Sequence, residues 1–209
     1  MKYDVEYYFN QLCSRYPNLS VIKQELEDAF LLLVSCFEAR NKLLLCGNGG
    51  SQADADHIVG ELVKGFHLKR RLSEEEASEL GVAPEALQKG LPSISLAHPS
   101  TLFTAFINDV SAEMVYAQSV YVLGNRGDVL WAISTSGNAQ NVYNAAKVAK
   151  AKGMNVLAMT GSDGGRLASI CDVCIKAPAQ QTFEVQELHL PIYHALCAML
   201  EMHFFGEDA

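Results

Sequence analysis

The first forty residues carry apolar side chains at helical spacing, in two stretches with a break between them. Residues 3–17 and 20–40 are predicted to be helices, because apolar positions in the second stretch recur every three or four residues. The pair Pro17-Asn18 is expected to interrupt the helical path. Residues 1–40 are therefore predicted to form a helical extension at the N-terminus.

After residue 40 the pattern changes to short apolar runs that alternate with helical stretches. The runs, predicted to be buried strands, are 42–46, 93–96, 128–133, 155–160 and 173–175. Helices are predicted at 52–66, in the region up to 123, in the region up to 152 and at 184–205. Strands that are apolar throughout and alternate with helices indicate a parallel sheet covered on both faces. The predicted fold class is therefore α/β, a doubly wound three-layer sandwich with two added N-terminal helices.

Residues 68–91 do not fit this alternation. They contain two adjacent arginines, a run of three glutamates, Pro84 and Gly90. This segment is predicted to be a surface insertion with one or two short helices, serving as a lid, as a contact between subunits or only as surface decoration. No linker divides the chain, so residues 1–209 are predicted to form one domain.

The balance of charge narrows the range of partners. The chain of 209 residues has a formal net charge of −8, and an acidic total disfavours a nucleic-acid partner. One basic cluster is interpreted either as a solvated helix end or as a rim that attracts phosphate. Its members are Lys64, His67, Lys69, Arg70 and Arg71.

The sequence predicts neither a membrane span nor a signal peptide. No apolar run reaches the roughly 18 residues that a span requires, and the chain begins with a mixed polar segment. The expected location is the cytoplasm, where the six cysteines stay reduced. Cys171 and Cys174 have CxxC spacing, but in a strand their sulfurs are expected to diverge. They are predicted to be ordinary buried cysteines.

Three loops that follow predicted strands consist of glycine and small polar residues. They are Gly47–Ser51, Ser134–Asn138 and Gly161–Gly165. In a parallel sheet, ligands bind beyond the carboxyl ends of the strands. There, glycine lets the backbone approach a ligand, and the N–H groups of the next helix face an anion. Neither GxxxxGK[ST] nor GxGxxG occurs, so a small phosphorylated metabolite is favoured over a nucleotide.

Titratable side chains provide candidates for proton transfer and metal binding. His57 and Glu61 are one helical turn apart and point in the same direction. This pair is interpreted as two metal ligands, as a base with its orienting partner, or as a helix-surface pair without a chemical role.

The last predicted helix carries four further candidates, namely Gln186, Glu187, His189 and His194. Glu187 and His189 are expected to face solvent or a neighbouring chain. Gln186 and His194 are eight residues apart, which is a rise of about 12 Å on a straight helix. They share one small site only if Pro191 kinks the helix, if Gln186 precedes the regular helix, or if two chains build the site.

The motifs occur in a characteristic order along nearly the whole chain. They are Cys46–Ser51 followed by Asp54, His57 and Glu61, then Asn108–Asp109, Gly127–Leu130, Ile133–Asn138, Thr160–Gly165, and Gln186–His189 with His194. In these motifs the chain resembles the phosphoheptose isomerases. That family is built on the sugar isomerase (SIS) fold, so the resemblance implies a five-stranded parallel sheet and a homo-oligomer, usually a tetramer.

The resemblance also implies an activity, the interconversion of sedoheptulose 7-phosphate and D-glycero-D-manno-heptose 7-phosphate. Such an isomerisation passes through an enediol and needs a base at carbon and a second group at oxygen, and Glu61 and His194 match the family's acid/base pair. One zinc ion per subunit is implied at the residues His57, Glu61, Gln186 and His194. Substrate contacts are implied at Asn48, Gly49, Gly50, Ser51, Asn108, Asp109, Ser134, Thr135, Ser136, Asn138 and Gln186.

The sequence departs from that family around the expected sugar site. Pro99 stands where an Asp is usual, and Ala139 stands where a Ser is usual. Two alternatives therefore remain, an isomerase of another phosphosugar and a non-catalytic adaptor of the same fold that binds the bacterial replication initiator. The adaptor branch lacks the acid/base residues, so the presence of Glu61 and His194 favours an enzyme.

Overall fold

Two helices precede the first strand, as the sequence predicts. Helix α1 spans Val5–Arg15 and α2 spans Lys23–Glu38, with a 3₁₀-helix at Pro17–Ile22 between them. The second helix starts later than predicted because the residues after Pro17 form this tighter turn. The computed structural model describes residues 5–98 and 100–206, so the predicted helix start at residue 3 and the departure at Pro99 lie outside the described residues.

Five parallel strands form one sheet, which confirms the predicted fold class. The strands are β1 (Leu43–Cys46), β2 (Ser93–Ser95), β3 (Val129–Ile133), β4 (Asn155–Thr160) and β5 (Val173–Lys176). Their spatial order is β2-β1-β3-β4-β5, and each neighbouring pair is parallel. The remaining helices are α3 (Gly50–Val63), α4 (Glu74–Leu80), α5 (Ser100–Asp109), α6 (Val115–Leu123), α7 (Gln140–Ala151) and α8 (Thr182–Phe205).

The side chains of the strands fill two separate cores, one on each face of the sheet. Leu43 and Leu45 of β1 pack with α2, α3 and α8, whereas Leu44 packs with α6 and α7. This follows from the strand geometry, in which successive side chains point to opposite faces. Trp131, the only tryptophan of the chain, lies fully buried in the middle strand β3. The molecule therefore has the predicted three layers.

The strand order places a crevice between β1 and β3. From β1 the chain crosses to the edge strand β2 and then returns past β1 to β3. In doubly wound sheets the point where the strand order reverses is where ligands bind, beyond the carboxyl ends of the strands. The loops that leave β1 and β3 at this point are the first and second predicted loops, Gly47–Ser51 and Ser134–Asn138.

The segment 68–91 contains one short helix, α4, and an isolated antiparallel bridge between Arg71 and Gln88. Helix α4 begins with a capping box in which the Ser73 side chain accepts from the Glu76 N–H and the Glu76 side chain accepts from the Ser73 N–H. It ends at Gly81, which has a φ of 67°. These local signals define the helix without a large buried face, since Ala77 is its one buried residue.

A buried ion pair fastens the end of α3 to α8. Arg70 donates from Nε to Glu201 Oε1 at 2.7 Å, and both side chains are 0% exposed. The Glu201 carboxylate also accepts the backbone N–H groups of residues 66, 67 and 68. Arg70 further donates to the carbonyls of Leu62 and Glu61. Arg70 is therefore neither part of a solvated helix end nor a free phosphate ligand, whereas Lys64, His67, Lys69 and Arg71 are exposed.

The prediction that the sulfurs of Cys171 and Cys174 diverge is wrong. Both side chains are half-buried, and both pack against the same core, on the face of the sheet that α6 and α7 cover. The alternation rule fails because Cys171 lies before β5 begins at Val173. As for membrane association, none of the helices in the described ranges has the length and apolar character needed to cross a bilayer.

Candidate active site

The first loop is held in place by short contacts around β1. Gly49 has a φ of 55°, a conformation that favours glycine, and the Ser51 N–H donates to the Asn48 carbonyl at 3.1 Å. The hydroxyl of the buried Tyr116 donates to the Gly47 carbonyl. The side chain of Ser51 is buried. The loop thus turns sharply from β1 into α3 and brings Ser51 to the crevice.

The second and third loops pack backbone to backbone. Gly137 has a φ of 65°, and a Cβ at this position would lie 2.1 Å from the Gly164 carbonyl oxygen. The Gly161 N–H donates to the Thr135 carbonyl at 2.8 Å, and Asn138 Oδ1 accepts the Arg166 N–H at 3.0 Å. Only glycine permits this approach, so the Gly-rich composition that marks these loops has a packing reason.

Three of the predicted phosphate ligands, Ser134, Thr135 and Ser136, lie in the loop that leads from β3 into α7. Ser134 is buried, Thr135 is half-buried and Ser136 is exposed, so these residues lie at decreasing depth along one loop. Helix α7 follows at Gln140, and no side chain of its N-cap residue occupies its first N–H groups within the described part of the chain. Asn141 Oδ1 accepts the Val142 N–H at 3.0 Å, but the N–H groups before it at the start of α7, together with the three hydroxyl groups, are suited to an anion such as phosphate.

A pair of amides joins the first loop to α7. Asn48 and Asn141 exchange two side-chain hydrogen bonds, each 2.9 Å long. This link holds the loops after β1 and β3 at a fixed separation across the crevice. Asn141 was not among the predicted site residues, because its role depends on a contact between distant segments.

The predicted acid/base residues meet on one side of α3 and α8. His57 Nε2 lies 3.2 Å from Glu61 Oε1 and 3.4 Å from His194 Nε2. The Glu61 side chain is 13% exposed, and Lys64 Nζ lies 3.3 Å from its second oxygen. The packing therefore disfavours the interpretation of His57 and Glu61 as a surface pair without a chemical role.

A tyrosine and an aspartate orient His57. The Tyr193 hydroxyl donates to Asp54 Oδ1 at 3.4 Å, so its oxygen accepts from His57 Nδ1 at 2.9 Å. This assignment leaves the lone pair of His57 on Nε2, directed at Glu61 and His194. The lone pairs of His57 Nε2 and Glu61 Oε1 face each other, which favours a proton or a cation between them, and the tautomer of His194 decides whether its Nε2 donates to or accepts from His57.

Burial shifts the pKa values of two groups in this cluster, His194 and Asp54. Burial lowers the pKa of His194 below its ordinary value, and the nearby His57 adds to the effect. Burial raises the pKa of Asp54, opposed by its hydrogen bond from Tyr193, and Asp54 Oδ2 has no hydrogen-bond partner among the described residues. His194 is therefore neutral near pH 7 and able to accept a proton.

Asp54 and Tyr193 were missed as functional residues in the sequence. Asp54 precedes His57 by three residues, and this spacing could have placed both on one face of α3. Tyr193 gave no such signal, since only the packing of α8 on α3 brings it to His57.

Gln186 stands apart from the three clustered residues. A Cβ at Gly50 would lie 2.6 Å from Gln186 Nε2, so Gln186 packs at the start of α3, whereas His57 lies about two turns further along. Helix α8 is continuous from Thr182 through Pro191, so the alternative that Gln186 precedes the regular helix is wrong. Within the one chain described, Gln186 and His194 therefore do not come together at one site. The role of Gln186 as a ligand stays a prediction.

Asn108 and Asp109 lie at the end of α5 and are exposed. The Asn108 side chain donates to the Asp109 carboxylate at 2.8 Å. The described contacts do not join them to either phosphate loop, and their substrate contact stays a prediction.

The expectation for His189 is wrong, whereas Glu187 is exposed as expected. His189 is 0% exposed, and its Nε2 lies 3.2 Å from the Thr160 carbonyl oxygen, which an imidazole N–H can satisfy. Burial lowers the pKa of His189 to about 4. This histidine fixes α8 to the end of β4 and stays neutral, so it is a structural residue.

This burial predicts a loss of stability in acid. The ordinary pKa of about 6.5 applies to the unfolded chain, so between about pH 6.5 and about pH 4 the unfolded chain binds this proton and the native protein does not. The contribution of neutral His189 is complete above about pH 6.5, falls with the pH and is lost below about pH 4. We expect urea unfolding to show that wild type loses roughly 2–3 kcal/mol more between pH 7 and pH 4.5 than His189→Gln. Parallel pH profiles of the two proteins would contradict this assignment.

The distances between donor atoms of His57, Glu61 and His194, taken two at a time, match those around a zinc ion. Two ligands at about 2.0–2.1 Å from a tetrahedral zinc ion are about 3.3 Å apart, which matches the distances from His57 Nε2 to Glu61 and to His194 of 3.2 and 3.4 Å. In residues 5–98 and 100–206, however, no group of three or more His, Cys, Asp or Glu side chains is arranged as a complete metal site. A fourth ligand of another type, such as the amide oxygen of Gln186, would have to complete the shell.

Comparison with known proteins agrees with the class that the fold and the loops define. A family model described as the SIS domain matches residues 7–161. A phosphoheptose isomerase from Helicobacter pylori (strain P12) is 37% identical over 187 residues, covering 90% of this chain and 88% of that protein. One from Alkalilimnicola ehrlichii is 34% identical over 205 residues, covering 97% and 95% of the two chains.

Solved structures agree with the sequence relatives. The phosphoheptose isomerase GmhA from Neisseria gonorrhoeae superposes with a TM-score of 0.75 at 31% identity, over 94% of this chain and 96% of that one. A phosphoheptose isomerase from Francisella tularensis superposes with a TM-score of 0.77 at 28% identity, over 94% and 95%. The chain therefore belongs to the phosphoheptose isomerase family of SIS-domain proteins.

Proposed function

We propose that this protein interconverts sedoheptulose 7-phosphate and D-glycero-D-manno-heptose 7-phosphate. The observation that carries the proposal is the meeting of His57, Glu61 and His194 in a chain 37% identical to a phosphoheptose isomerase. The non-catalytic adaptor, by contrast, lacks the acid/base pair, and this chain retains both of its members. The two Gly-rich loops at the switch point supply a place for the phosphate.

The chemistry follows from the environment of each group. Phosphate binds at Ser51 and at the loop Ser134–Ser136, where hydroxyls and the start of α7 meet. Glu61 accepts the proton from the carbon beside the carbonyl and returns it to the neighbouring carbon. Neutral His194 moves the proton between the two oxygens of the enediol, a task that suits an imidazole whose burial holds its pKa below the ordinary value.

We further propose that one zinc ion per subunit binds at this cluster. His57, Glu61 and His194 would hold it, and Gln186, which lies about two turns along α3 from His57 in the described chain, would have to come from a second subunit to be the fourth ligand. When bound, zinc would stabilise the negative charge that develops on the enediolate oxygens. The pairwise spacing of the donors and the orientation of His57 by Tyr193 support this proposal.

A homo-oligomer, with a tetramer as the expected form, is proposed as the active species. Ser51 and Glu61 are ten residues apart on α3, a rise of about 15 Å, which exceeds the length of an extended seven-carbon chain. This separation favours sites that combine the phosphate loops of one subunit with the acid/base pair of another. Tyr121 and Val122 of α6 are 66% and 64% exposed, and such an apolar face is suited to contact between subunits. The proposed location is the cytoplasm, where the free cysteines stay reduced.

The proposal is tested by incubating the purified protein with sedoheptulose 7-phosphate and following the aldose product by NMR or mass-resolved chromatography. We expect product from the protein as purified with added zinc, and less after treatment with a chelator, with recovery when zinc is restored. Equal rates with and without the chelator would contradict the zinc proposal alone. No product from folded protein in any condition would overturn the heptose assignment.

Two controls separate the alternatives. Turnover of a shorter phosphosugar, without turnover of the heptose, would assign the protein to another substrate. Binding of the purified replication initiator without turnover of any phosphosugar would assign it to the adaptor branch.

A further inference from the structure

A basic cavity of about 650 Å³ lies where the chain leaves α3 and passes the end of α8. Its volume falls within the roughly 300–1,000 Å³ of sites that bind small molecules. Among the described residues, neither the acid/base cluster nor the phosphate loops contribute to its lining, and no aspartate or glutamate does. The basic side chains that line it are His67, Lys69, Arg70, Arg71 and Lys89.

Two of these cations have no counter-charge. Lys69 and Arg71 are exposed, and neither side chain has an ion pair or a hydrogen bond with another of the described residues. Lys89 differs, because its Nζ lies 3.3 Å from Glu76 Oε2, and Arg70 is neutralised by its buried ion pair with α8. The cavity therefore carries a positive charge that the described chain does not balance, and this charge attracts anions.

The backbone that carries the cations is held in place. Arg70, which separates Lys69 from Arg71, is anchored to α8 and has a φ of 43°, a conformation that is uncommon for a residue with a side chain. The Lys89 N–H donates to the Arg70 carbonyl at 2.8 Å, which joins the second basic segment to the first. Since both segments are fixed, an anion binds there without a large cost in ordering the chain.

The number of cations and the apolar part of the lining indicate the class of ligand. A guanidinium such as that of Arg71 can hold one phosphate group through two parallel N–H···O bonds, and an ammonium such as that of Lys69 acts as a point charge for a second. Leu68, Leu72 and Phe205 provide an apolar wall. A single phosphate group would not engage cations on two separate segments.

We propose that this cavity binds a small anion with two or more phosphate groups, at a site separate from the one where isomerisation takes place. Lys69 and Arg71 provide the main contacts, and Lys89 provides a third charge from the neighbouring segment. The proposal rests on the lining and the charges of the cavity and does not depend on the isomerase activity.

The test is isothermal titration calorimetry of the native full-length protein with phosphate, pyrophosphate and ADP, each at the same ionic strength. We expect pyrophosphate to bind at least about tenfold more tightly than phosphate, because its second group reaches a second cation. The ADP titration identifies the source of the groups. Binding of ADP at least as tight as that of pyrophosphate assigns the site to organic phosphates, whereas binding of pyrophosphate without binding of ADP assigns it to the free inorganic anion.

Three variants locate the binding. Lys69→Gln combined with Arg71→Gln should raise the Kd for pyrophosphate at least about tenfold. Arg126→Gln combined with Lys147→Gln removes the same charge from two other exposed positions and should leave the Kd within about twofold of wild type. Ser136→Glu, which blocks the phosphate loop, should also keep the binding.

Three results would overturn the proposal. The first is equal affinity for phosphate and pyrophosphate in wild type. The second is an unchanged Kd for pyrophosphate in the variant of the cavity, with circular dichroism that matches wild type, since the anion would then bind elsewhere. The third is loss of the pyrophosphate signal in Ser136→Glu, which would place the anion in the phosphate loop.

Discussion

Glu61→Gln should lower kcat for heptose phosphate isomerisation by about 10²–10⁴-fold, the usual contribution of a positioned general base. The amide keeps the shape of the side chain but cannot take a proton from carbon. KM should change little, because the phosphate loops lie at the other end of α3. The measurement is the rate of aldose formation from sedoheptulose 7-phosphate at saturating substrate.

Glu187→Gln is the matched control for this substitution. Glu187 lies on α8 and is exposed, so its variant should keep the wild-type rate. A rate for Glu61→Gln within tenfold of wild type, with normal circular dichroism, would remove Glu61 from the proposed mechanism.

Glu61→Gln, combined with a second variant in the phosphate loop, also tests whether two subunits build one site. Ser136→Glu places a negative charge in the exposed part of the phosphate loop and should abolish substrate binding by repulsion without disturbing the core. If loops and acid/base residues come from different subunits, unfolding and refolding the two inactive variants together should restore part of the wild-type rate. Mixtures that stay inactive while forming mixed oligomers would show that each chain builds its own site.

The largest loss of stability is expected from Glu201→Gln, at about 3–5 kcal/mol. The side chain of Glu201 is 0% exposed and receives Arg70 together with three backbone N–H groups. A glutamine leaves the guanidinium without a counter-charge and turns an N–H₂ group toward other donors. Urea unfolding followed by circular dichroism measures the loss, and Glu187→Gln on the same helix should stay within about 0.5 kcal/mol of wild type.

A double substitution separates the ion pair from the backbone contacts. Replacing a buried ion pair by apolar residues is often neutral, but here the N–H groups of residues 66–68 would still lack an acceptor. We therefore expect Arg70→Met combined with Glu201→Leu to remain destabilised by at least about 2 kcal/mol. Full recovery in the double variant would show that the charges alone account for the effect.

The fold was largely predictable because the central strands of the sheet leave a clear pattern in the sequence. β1, β3 and β4 are buried on both faces, so their apolar runs are continuous and easily recognised. The glycines of the loops were also recognisable, since positions such as Gly49 and Gly137 need a positive φ. Element ends were less predictable, as the 3₁₀-helix at Pro17–Ile22 shows.

The site was predictable only in part, because tertiary packing decides it. Side-by-side packing of α3 and α8 brings His57 to Tyr193 and His194, and no local pattern encodes this contact. The same packing places Gln186 beside Gly50. His189 misled the prediction because its polar type suggests solvent, while its position on α8 faces the core. Cys171 misled the prediction because the alternation rule for strands was applied to a residue two positions before β5 begins.

The buried Trp131 is an intrinsic fluorescence probe of the folded sheet. The only indole of the chain lies in the middle strand, with no accessible surface and with its Nε1 unpaired among the described residues. Its fluorescence in the native state comes from an apolar, water-free environment, and its emission moves to longer wavelength when the sheet opens. Because α helices from both layers pack against that sheet, one intrinsic signal reports on the cohesion of the whole sandwich, and no label has to be introduced.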